Sequence, residues 1–367
     1  MSEMRPPAPP APRPADDDGD RYTRGVLTVI AIILGIAAMK ASQSILVPVI
    51  VAVFLAIFAT RPMIMLQRRG LGPIPSVGLV VLGMIILLSL AGWALGGSIN
   101  TFVLQVPVYE DRIRVMLTDF GTMLPQLGIN VSYEELLRKF DPSAVMGLVG
   151  RMLSGLQKAL ANTFLVLFMM VFILLESSTF PIKVRKIVSA SEPALQSFAM
   201  FADNLNRYLV IKTLMSLATG IFVAIWLAIL GIDFAVMWGF VAFLLNYIPA
   251  IGSALAAVPA VLLSLVQYGP GRALAVAIGY MVINAIFGNL LETRFMGQGL
   301  GLSALVVFLS LVFWAWVFGA VGMLLAVPLT MTMKLALQSS PRSAWVAMLL
   351  EPGLTDDADA ADDDQAA

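Results

Sequence analysis

Three stretches of this sequence run for 38 to 40 residues without a charged side chain: 70–109, 234–271 and 295–333. A hydrocarbon core of about 30 Å is crossed by about 20 helical residues, so each stretch exceeds one crossing. Shorter uncharged runs cover residues 25–39, 41–60, 159–175, 213–232 and 273–291. Only 13% of the 367 residues are charged, against about 25% in a typical soluble domain. The sequence therefore predicts an all-α, polytopic membrane protein with about eight membrane segments in the lipid bilayer.

The chain contains neither cysteine nor histidine. Without cysteine it can form no disulfide and no thiolate metal site. Without histidine it has no HExxH zinc site, Ser-His dyad or histidine proton relay. The sequence therefore predicts that the protein is not an enzyme and has no metal site and no cofactor. The formal net charge is zero, and no basic cluster indicates a nucleic-acid partner.

Charge and composition divide the chain into six predicted regions. Residues 1–22 are rich in Pro and Asp, and residues 351–367 hold seven acids and little that is apolar, a composition typical of disorder. Residues 101–158 carry six basic and six acidic side chains with helical apolar periodicity, which predicts a small extramembrane helical subdomain. The regions are a disordered N-terminal tail (1–22), three membrane segments (23–100), amphipathic extramembrane helices (101–160), membrane segments with a cytoplasmic helical loop at 176–208 (161–231), a transport core (232–337) and an acidic disordered C-terminal tail (338–367).

The distribution of basic residues predicts the orientation in the membrane. With the N-terminus inside, Arg61, Arg68, Arg69 and the basic residues of 183–207 all lie on the cytoplasmic side. Basic residues are enriched in cytoplasmic loops. Both termini are therefore predicted to be cytoplasmic.

The uncharged run 234–271 is interrupted near its middle by Asn246, Pro249, Gly252 and Ser253, and again by Pro259. The first arm is about 12 residues, or about 18 Å of helix, too short to cross alone. Non-helical backbone at membrane depth is tolerated only where protein or water surrounds it. We therefore predict a broken or re-entrant helical hairpin, with Asn246 and Ser253 beside freed carbonyls. The alternative is that these two residues only join helices through hydrogen bonds.

A second interruption is predicted at 289–303, before the last apolar run. From Ala304 to Phe318 the run measures about 22 Å as helix, again short for a crossing. Two Gly/Pro-interrupted hydrophobic hairpins in one chain indicate a transport site. The predicted pathway and hinge residues of this second region are Asn284, Asn289, Glu292, Arg294, Gly297, Gly299, Ser303, Ser310, Gly319, Gly322 and Pro328.

Glu292 has two interpretations that the sequence leaves open. A carboxylate at membrane depth is costly and usually functional, which favours an ion or proton site. Arg294, two residues further on, favours a local ion pair that fixes the loop.

The stretches FLLNYIPAIGSALAAVP and FGNLLETRFMGQGLGLSALVVFLSLVFWAWVFGAVGMLLAVPLT resemble the autoinducer-2 exporter (AI-2E) family of bacterial membrane proteins. The resemblance implies an inner-membrane transporter that assembles as a homo-oligomer, with a pentamer expected. The matching positions are Asn246, Pro249, Gly252, Ser253, Asn289, Glu292, Met296, Gly297, Gly299, Leu302, Ser303, Phe313, Trp314, Gly319, Gly322 and Pro328. Thr293, Ala304 and Ala315 replace helix breakers that relatives commonly have, so the second hairpin is expected to be less sharply broken.

Three functions are compatible with these features. The first is export of a small polar metabolite or quorum-sensing signal such as autoinducer-2, which the scarcity of buried acids favours. The second is sodium (or lithium)/proton antiport using Glu292. Transport of a small polar solute coupled to protons or sodium is also left open by the sequence. The third is a membrane scaffold without transport activity.

Overall fold

A computed structural model describes residues 17–123, 147, 150, 153–155, 163–177, 192–249, 251–296, 301–338 and 343–351. Every regular element among these residues is a helix, which confirms the all-α fold class. The chain divides into two compact units, one ending at Leu46 and the other starting at Val47. The first unit consists of helix α1 (Asp17–Ala41) and the start of α2. Helix α1 therefore begins inside the predicted tail 1–22.

The second unit contains the remaining helices. They are the rest of α2 (Gln43–Arg68), α3 (Pro73–Met123), α4 (Thr163–Ser177), α5 (Glu192–Ile229), α6 (Ala235–Leu245), α7 (Gly252–Tyr268), α8 (Pro270–Ile283), a π-helix (Asn284–Leu291), α9 (Glu292–Met296), α10 (Ala304–Leu324), α11 (Ala326–Gln338) and α12 (Ala344–Leu349).

Five helical segments of the described chain are long and apolar enough to cross a membrane. Four shorter apolar helices, of 10 to 17 residues, accompany them. Because the two helices of the predicted first hairpin, α6 and α7, are among the shorter ones, neither matches a full crossing. The five long segments are Gln43–Arg68, Pro73–Met116, Asp203–Ile229, Pro270–Phe295 and Ala304–Leu324.

Helix α3 continues well past the point where the sequence predicts the third span to end. Its 51 residues extend for about 77 Å at 1.5 Å per residue, more than twice the hydrocarbon thickness. Helix α3 therefore continues from the span across the predicted boundary at residue 101 as far as Met123. A Cβ added at Gly96 or Gly97 would meet no atom within 4 Å, and neither glycine breaks the helix. Leu153, from the predicted subdomain, is buried in one apolar cluster with Phe102 and Tyr109 of α3.

Helices α5 and α6 approach closely through two glycines. A Cβ added at Gly220 would lie 2.7 Å from the Gly239 carbonyl oxygen, and one at Gly239 would lie 2.6 Å from the Gly220 oxygen. Small residues at such crossings let two membrane helices pack backbone to backbone. This contact fixes the first hairpin against α5.

The second hairpin, α10 and α11, bends at Gly319, which has φ 66° and ψ −146°. The buried Trp314 indole donates to the hydroxyl of Thr330 over 3.0 Å and so joins the two helices. Pro328 lies buried in the first turn of α11, where a missing N–H costs nothing. Gly322 packs closely on the Trp314 carbonyl, 2.0 Å from where its Cβ would lie. The predicted hinge residues Gly319, Gly322 and Pro328 therefore lie at the bend or just beyond it.

The predicted C-terminal tail contains helix α12, which contacts the start of the second hairpin. The Ser303 N–H donates to the Leu350 carbonyl over 3.0 Å. Lys334 donates to the Gly301 carbonyl and pairs with Glu351, each at 2.8 Å. The segment 343–351 therefore holds the described part of the linker before α10.

Candidate functional site

The first hairpin is broken where the sequence predicts it. Helix α6 ends at Leu245 and α7 begins at Gly252. A Cβ at Gly252 would lie 1.8 Å from the Leu245 carbonyl oxygen, so only glycine lets the two helix ends come so close. Pro249 lies in the turn between them, half-buried, and its carbonyl accepts from the Ile251 N–H over 2.7 Å. Pro259 is buried within α7.

Four polar side chains meet at this turn, and we call them the tip cluster: Ser216, Asn246, Ser253 and Asn284. The Asn246 amide is 4% exposed and donates to the Ser216 hydroxyl over 3.0 Å. The Ser253 hydroxyl oxygen lies 2.6 Å from Asn284 Oδ1 and 3.3 Å from Asn246 Oδ1. Since a serine hydroxyl carries one hydrogen, it donates to only one of these oxygens at a time. The cluster thus joins α5, the hairpin and the π-helix through exchangeable hydrogen bonds.

The tip cluster lies at mid-depth of the helices that carry it. Ser216 is 13 residues from each end of the apolar segment Asp203–Ile229, or about 20 Å from either side. Asn284 is 14 residues from Pro270 and 12 from Met296, which gives about 21 and 18 Å. Two helices of membrane-spanning length therefore place the same polar cluster near their centres.

A buried ion pair lies one turn along α5 from Ser216. Lys212 Nζ is 2.6 Å from Glu292 Oε1, and the two side chains are only 5% and 15% exposed. Glu292 therefore has Lys212 as its partner, whereas Arg294 is exposed. Glu292 thus forms an ion pair, but its partner is Lys212 of another helix rather than Arg294.

The same part of α5 contacts the tip of the second hairpin. Leu205, Tyr208 and Leu209 of α5 are buried in one cluster with Val327 of α11 and Phe54 of α2. On the other side of the ion pair, the Tyr247 hydroxyl donates to Thr213 Oγ1 over 2.7 Å. Within 12 residues of α5, both hairpins are thus in contact with one helix, and the Lys212–Glu292 pair lies between their contacts.

The other predicted pathway residues lie outside the cluster. Asn289 is exposed on the π-helix. Ser303 caps α10 by accepting from the Val306 N–H over 3.2 Å. Ser310 is buried and donates to the Val307 carbonyl of its own helix over 2.9 Å. Gly297 and Gly299 fall outside the described residues.

In the structure, the second interruption of the helix begins later than the sequence predicts. Helix continues without a gap from Pro270 through the π-helix to Met296, so Asn289, Glu292 and Arg294 are helical. Between Gly301 and Ser303 the chain is not helical, and α10 begins at Ala304. Thr293, in place of a helix-breaking residue, is compatible with this continuation.

Four residues of this region are not among those predicted from the sequence: Lys212, Ser216, Thr213 and Tyr247. Lys212 stands next to the uncharged run 213–232, and an ionisable residue so close to membrane depth is itself a signal of function. Ser216 has no such signal, because hydroxyls are common in membrane helices. Within the described part of the chain, no three His, Cys, Asp or Glu side chains gather to hold a metal ion.

Comparison with known proteins gives consistent matches. Residues 27–342 match the family model described as AI-2E family transporter. The chain is 38% identical to the AI-2 transport protein TqsA of Escherichia coli K12, over 89% of this chain and 94% of that relative. It is 38% identical to a putative transport protein of Haemophilus influenzae, covering 89% and 96%. The putative transport protein YhhT of Escherichia coli K12 is 34% identical, covering 89% and 94%.

Proposed function

Because the chain belongs to the AI-2E family and is a multi-pass membrane transporter, we propose that it exports a small, neutral, hydroxylated solute through the tip cluster. Autoinducer-2 is the first candidate, since the similar protein TqsA is named as an AI-2 transport protein. The proposal places the protein in the bacterial inner membrane with both termini in the cytoplasm. It also includes a homo-oligomer, with five copies expected from the family resemblance.

The chemistry of the tip cluster supports this solute class. Its side chains are two amides and two hydroxyls, all neutral and each able to donate and accept. A hydroxylated solute offers the same groups, so it can replace the Ser253–Asn284 and Asn246–Ser216 hydrogen bonds one for one. An apolar solute would leave these groups unpaired, at a cost of about 1–3 kcal/mol for each group that is buried. The central cluster of exchangeable hydrogen bonds, in which Asn246 and Ser216 are buried and Ser253 and Asn284 are half-buried, is the observation that carries the proposal.

The arrangement of the hairpins supports a mechanism of alternating access. The first hairpin enters from the proposed outer side and the second from the proposed inner side, and both contact α5. Transporters bind solutes near the midplane at the ends of discontinuous helices. Movement of either hairpin away from α5 would open the cluster to one side of the membrane at a time.

Efflux of autoinducer-2 from loaded proteoliposomes tests the proposal. Asn246→Ala removes the amide that joins the hairpin to Ser216, and efflux is expected to fall at least tenfold. Asn289→Ala is a matched control, because Asn289 is exposed on the π-helix outside the cluster. Equal efflux by the parent chain, Asn246→Ala and protein-free vesicles would refute the proposal.

A second candidate function is sodium/proton antiport through Glu292, favoured by the burial of this carboxylate. Its ammonium partner, Lys212, opposes this role because the pair is already neutral without a bound cation. Sodium-driven proton movement in vesicles distinguishes the two functions. Such movement, present in the parent chain and lost in Glu292→Gln, would establish antiport in place of solute export.

A further inference from the structure

The helix that carries Asn284 changes its winding at that residue. From Asn284 to Leu291 it is a π-helix, and the Glu292 N–H donates to the Phe287 carbonyl, five residues earlier. Short π-helical segments are rare and occur frequently at functional sites. Here the segment begins at a residue of the tip cluster, which indicates that its geometry serves the site.

Gly288 lies one turn beyond Asn284 on this segment. A Cβ added at Gly288 would lie 2.4 Å from Asn284 Oδ1 and 3.3 Å from Asn284 Cγ. Because Cα–Cβ bonds in helices tilt toward the N-terminus, a side chain at 288 would point at Asn284. The amide of Asn284 therefore occupies the space that a side chain at 288 would take.

The same oxygen of Asn284 is the atom that bonds Ser253, at 2.6 Å. A methyl group at 288 would have to displace this amide, and the hydrogen bond from Ser253 would be lost. The displaced group is the end of a side chain rather than backbone, so the fold can adapt by a rotamer change. Alanine is also a better helix former than glycine. Folding and transport should therefore respond differently to the same substitution.

We propose that Gly288 is a positioning residue of the transport site, which acts by leaving room for the Asn284 amide to reach Ser253. This inference rests on the proposed function, because it assigns a role within that site. Gly288 acts on transport only through the position of the Asn284 amide, so the effect of a substitution at Gly288 should depend on whether Asn284 is present.

The test is a double-mutant cycle of Gly288→Ala and Asn284→Ala, with efflux of autoinducer-2 from proteoliposomes as the assay. Alone, Gly288→Ala is expected to lower efflux at sub-saturating solute at least tenfold and to raise the half-saturation concentration. Its melting temperature is expected to stay at or above that of the parent chain. In the Asn284→Ala background, Gly288→Ala is expected to change efflux by less than twofold.

Two glycines of other helices serve as controls. Gly83 of α3 has no atom within 4 Å of its added Cβ, so Gly83→Ala should leave efflux unchanged and should not lower the melting temperature. At Gly279 the added Cβ would lie 1.9 Å from Trp226 Nε1, and Gly279→Ala should lower the melting temperature. Gly83→Ala thus measures the general effect of replacing glycine with alanine, and Gly279→Ala measures the effect of a packing clash. Both are thereby distinguished from a loss of positioning at Asn284.

The outcomes distinguish this inference from the proposed function. If Asn284→Ala lowers efflux but Gly288→Ala does not, the inference is overturned and the proposed function stands. If the two effects multiply in the double variant, Gly288 acts by packing and the inference is likewise overturned. If neither substitution changes efflux, the tip cluster is not the transport site and both fail.

Discussion

Neutralising Lys212 alone is expected to destabilise the protein far more than neutralising Lys212 and Glu292 together. The two side chains are 5% and 15% exposed at 2.6 Å separation, so water screens the pair only weakly. Breaking a buried pair by removing one partner costs about 3–5 kcal/mol, because the other charge stays buried and unpaired. Lys212→Met should therefore lower the free energy of unfolding by that amount. The double variant Lys212→Met/Glu292→Gln should lie within about 1 kcal/mol of the parent chain, since replacing both charges is often neutral.

An exposed ion pair of the same chain provides the matched control. Arg61 and Asp203 are 2.7 Å apart, but their side chains are 55% and 76% exposed. Exposed pairs contribute about 0–1 kcal/mol, so Arg61→Met should have a small effect although the distance is nearly the same. The comparison therefore distinguishes the effect of burial on stability from the effect of the distance between the two charges.

Denaturant titration of the purified protein in detergent, followed by tryptophan fluorescence, measures all four proteins under one condition. We expect a large loss of unfolding free energy for Lys212→Met, recovery of it in the double variant and almost no change for Arg61→Met. A loss for Lys212→Met no larger than that for Arg61→Met would refute the buried pair. A double variant as unstable as Lys212→Met would show that packing of the lysine stem, rather than charge pairing, is responsible.

Two further substitutions test the hairpins. Gly252→Ala places a methyl group 1.8 Å from the Leu245 carbonyl and should cost about 1–3 kcal/mol of unfolding free energy as overpacking, whereas Gly271→Ala, with open surroundings, should cost nothing measurable in the same denaturant titration. Trp314→Phe removes the buried hydrogen bond to Thr330 and should lower the free energy of unfolding by about 1 kcal/mol. The double variant Trp314→Phe/Thr330→Val should recover part of that loss. Equal losses in the single and the double variant would contradict a contribution of this hydrogen bond to stability.

Local signals in the sequence predict the first hairpin because its break depends on local chemistry. Pro249 and Gly252 act on the backbone within one turn of themselves, through a missing N–H and a missing Cβ. The positions of Asn246 and Ser253 beside that turn follow from the same residues. The break therefore lies where it was predicted, between Leu245 and Gly252.

The partners of the polar residues could not be predicted, because they come from distant parts of the chain. Glu292 pairs with Lys212, 80 residues away, whereas the sequence offers Arg294 as its nearest cation. Asn246 and Ser216 are 30 residues apart, and no spacing rule links two separate membrane helices. Only the packing of α5 against the hairpin and the π-helix brings these side chains together.

The boundary that charge predicts at residue 101 does not mark the end of a helix. Gly96 and Gly97 lie in open surroundings within α3, and the helix continues to Met123. A glycine costs a helix only about 1 kcal/mol, which many neighbouring helical residues offset. The helix likewise continues through the first eight residues of the predicted interruption at 289–303, because none of these eight residues is glycine or proline.

Transport through the tip cluster requires that water and solute reach it although it lies at mid-depth of its helices. The chain has no cysteine, so Ser253→Cys introduces a single thiol whose reaction with a membrane-impermeant, charged thiol reagent can be followed without background. Leu255→Cys, two residues further along α7 at a side chain that is 44% exposed on the apolar surface, serves as the comparison. We expect rapid labelling of Ser253→Cys that autoinducer-2 slows, and little labelling of Leu255→Cys. Labelling of Ser253→Cys that is no faster than that of Leu255→Cys would contradict it.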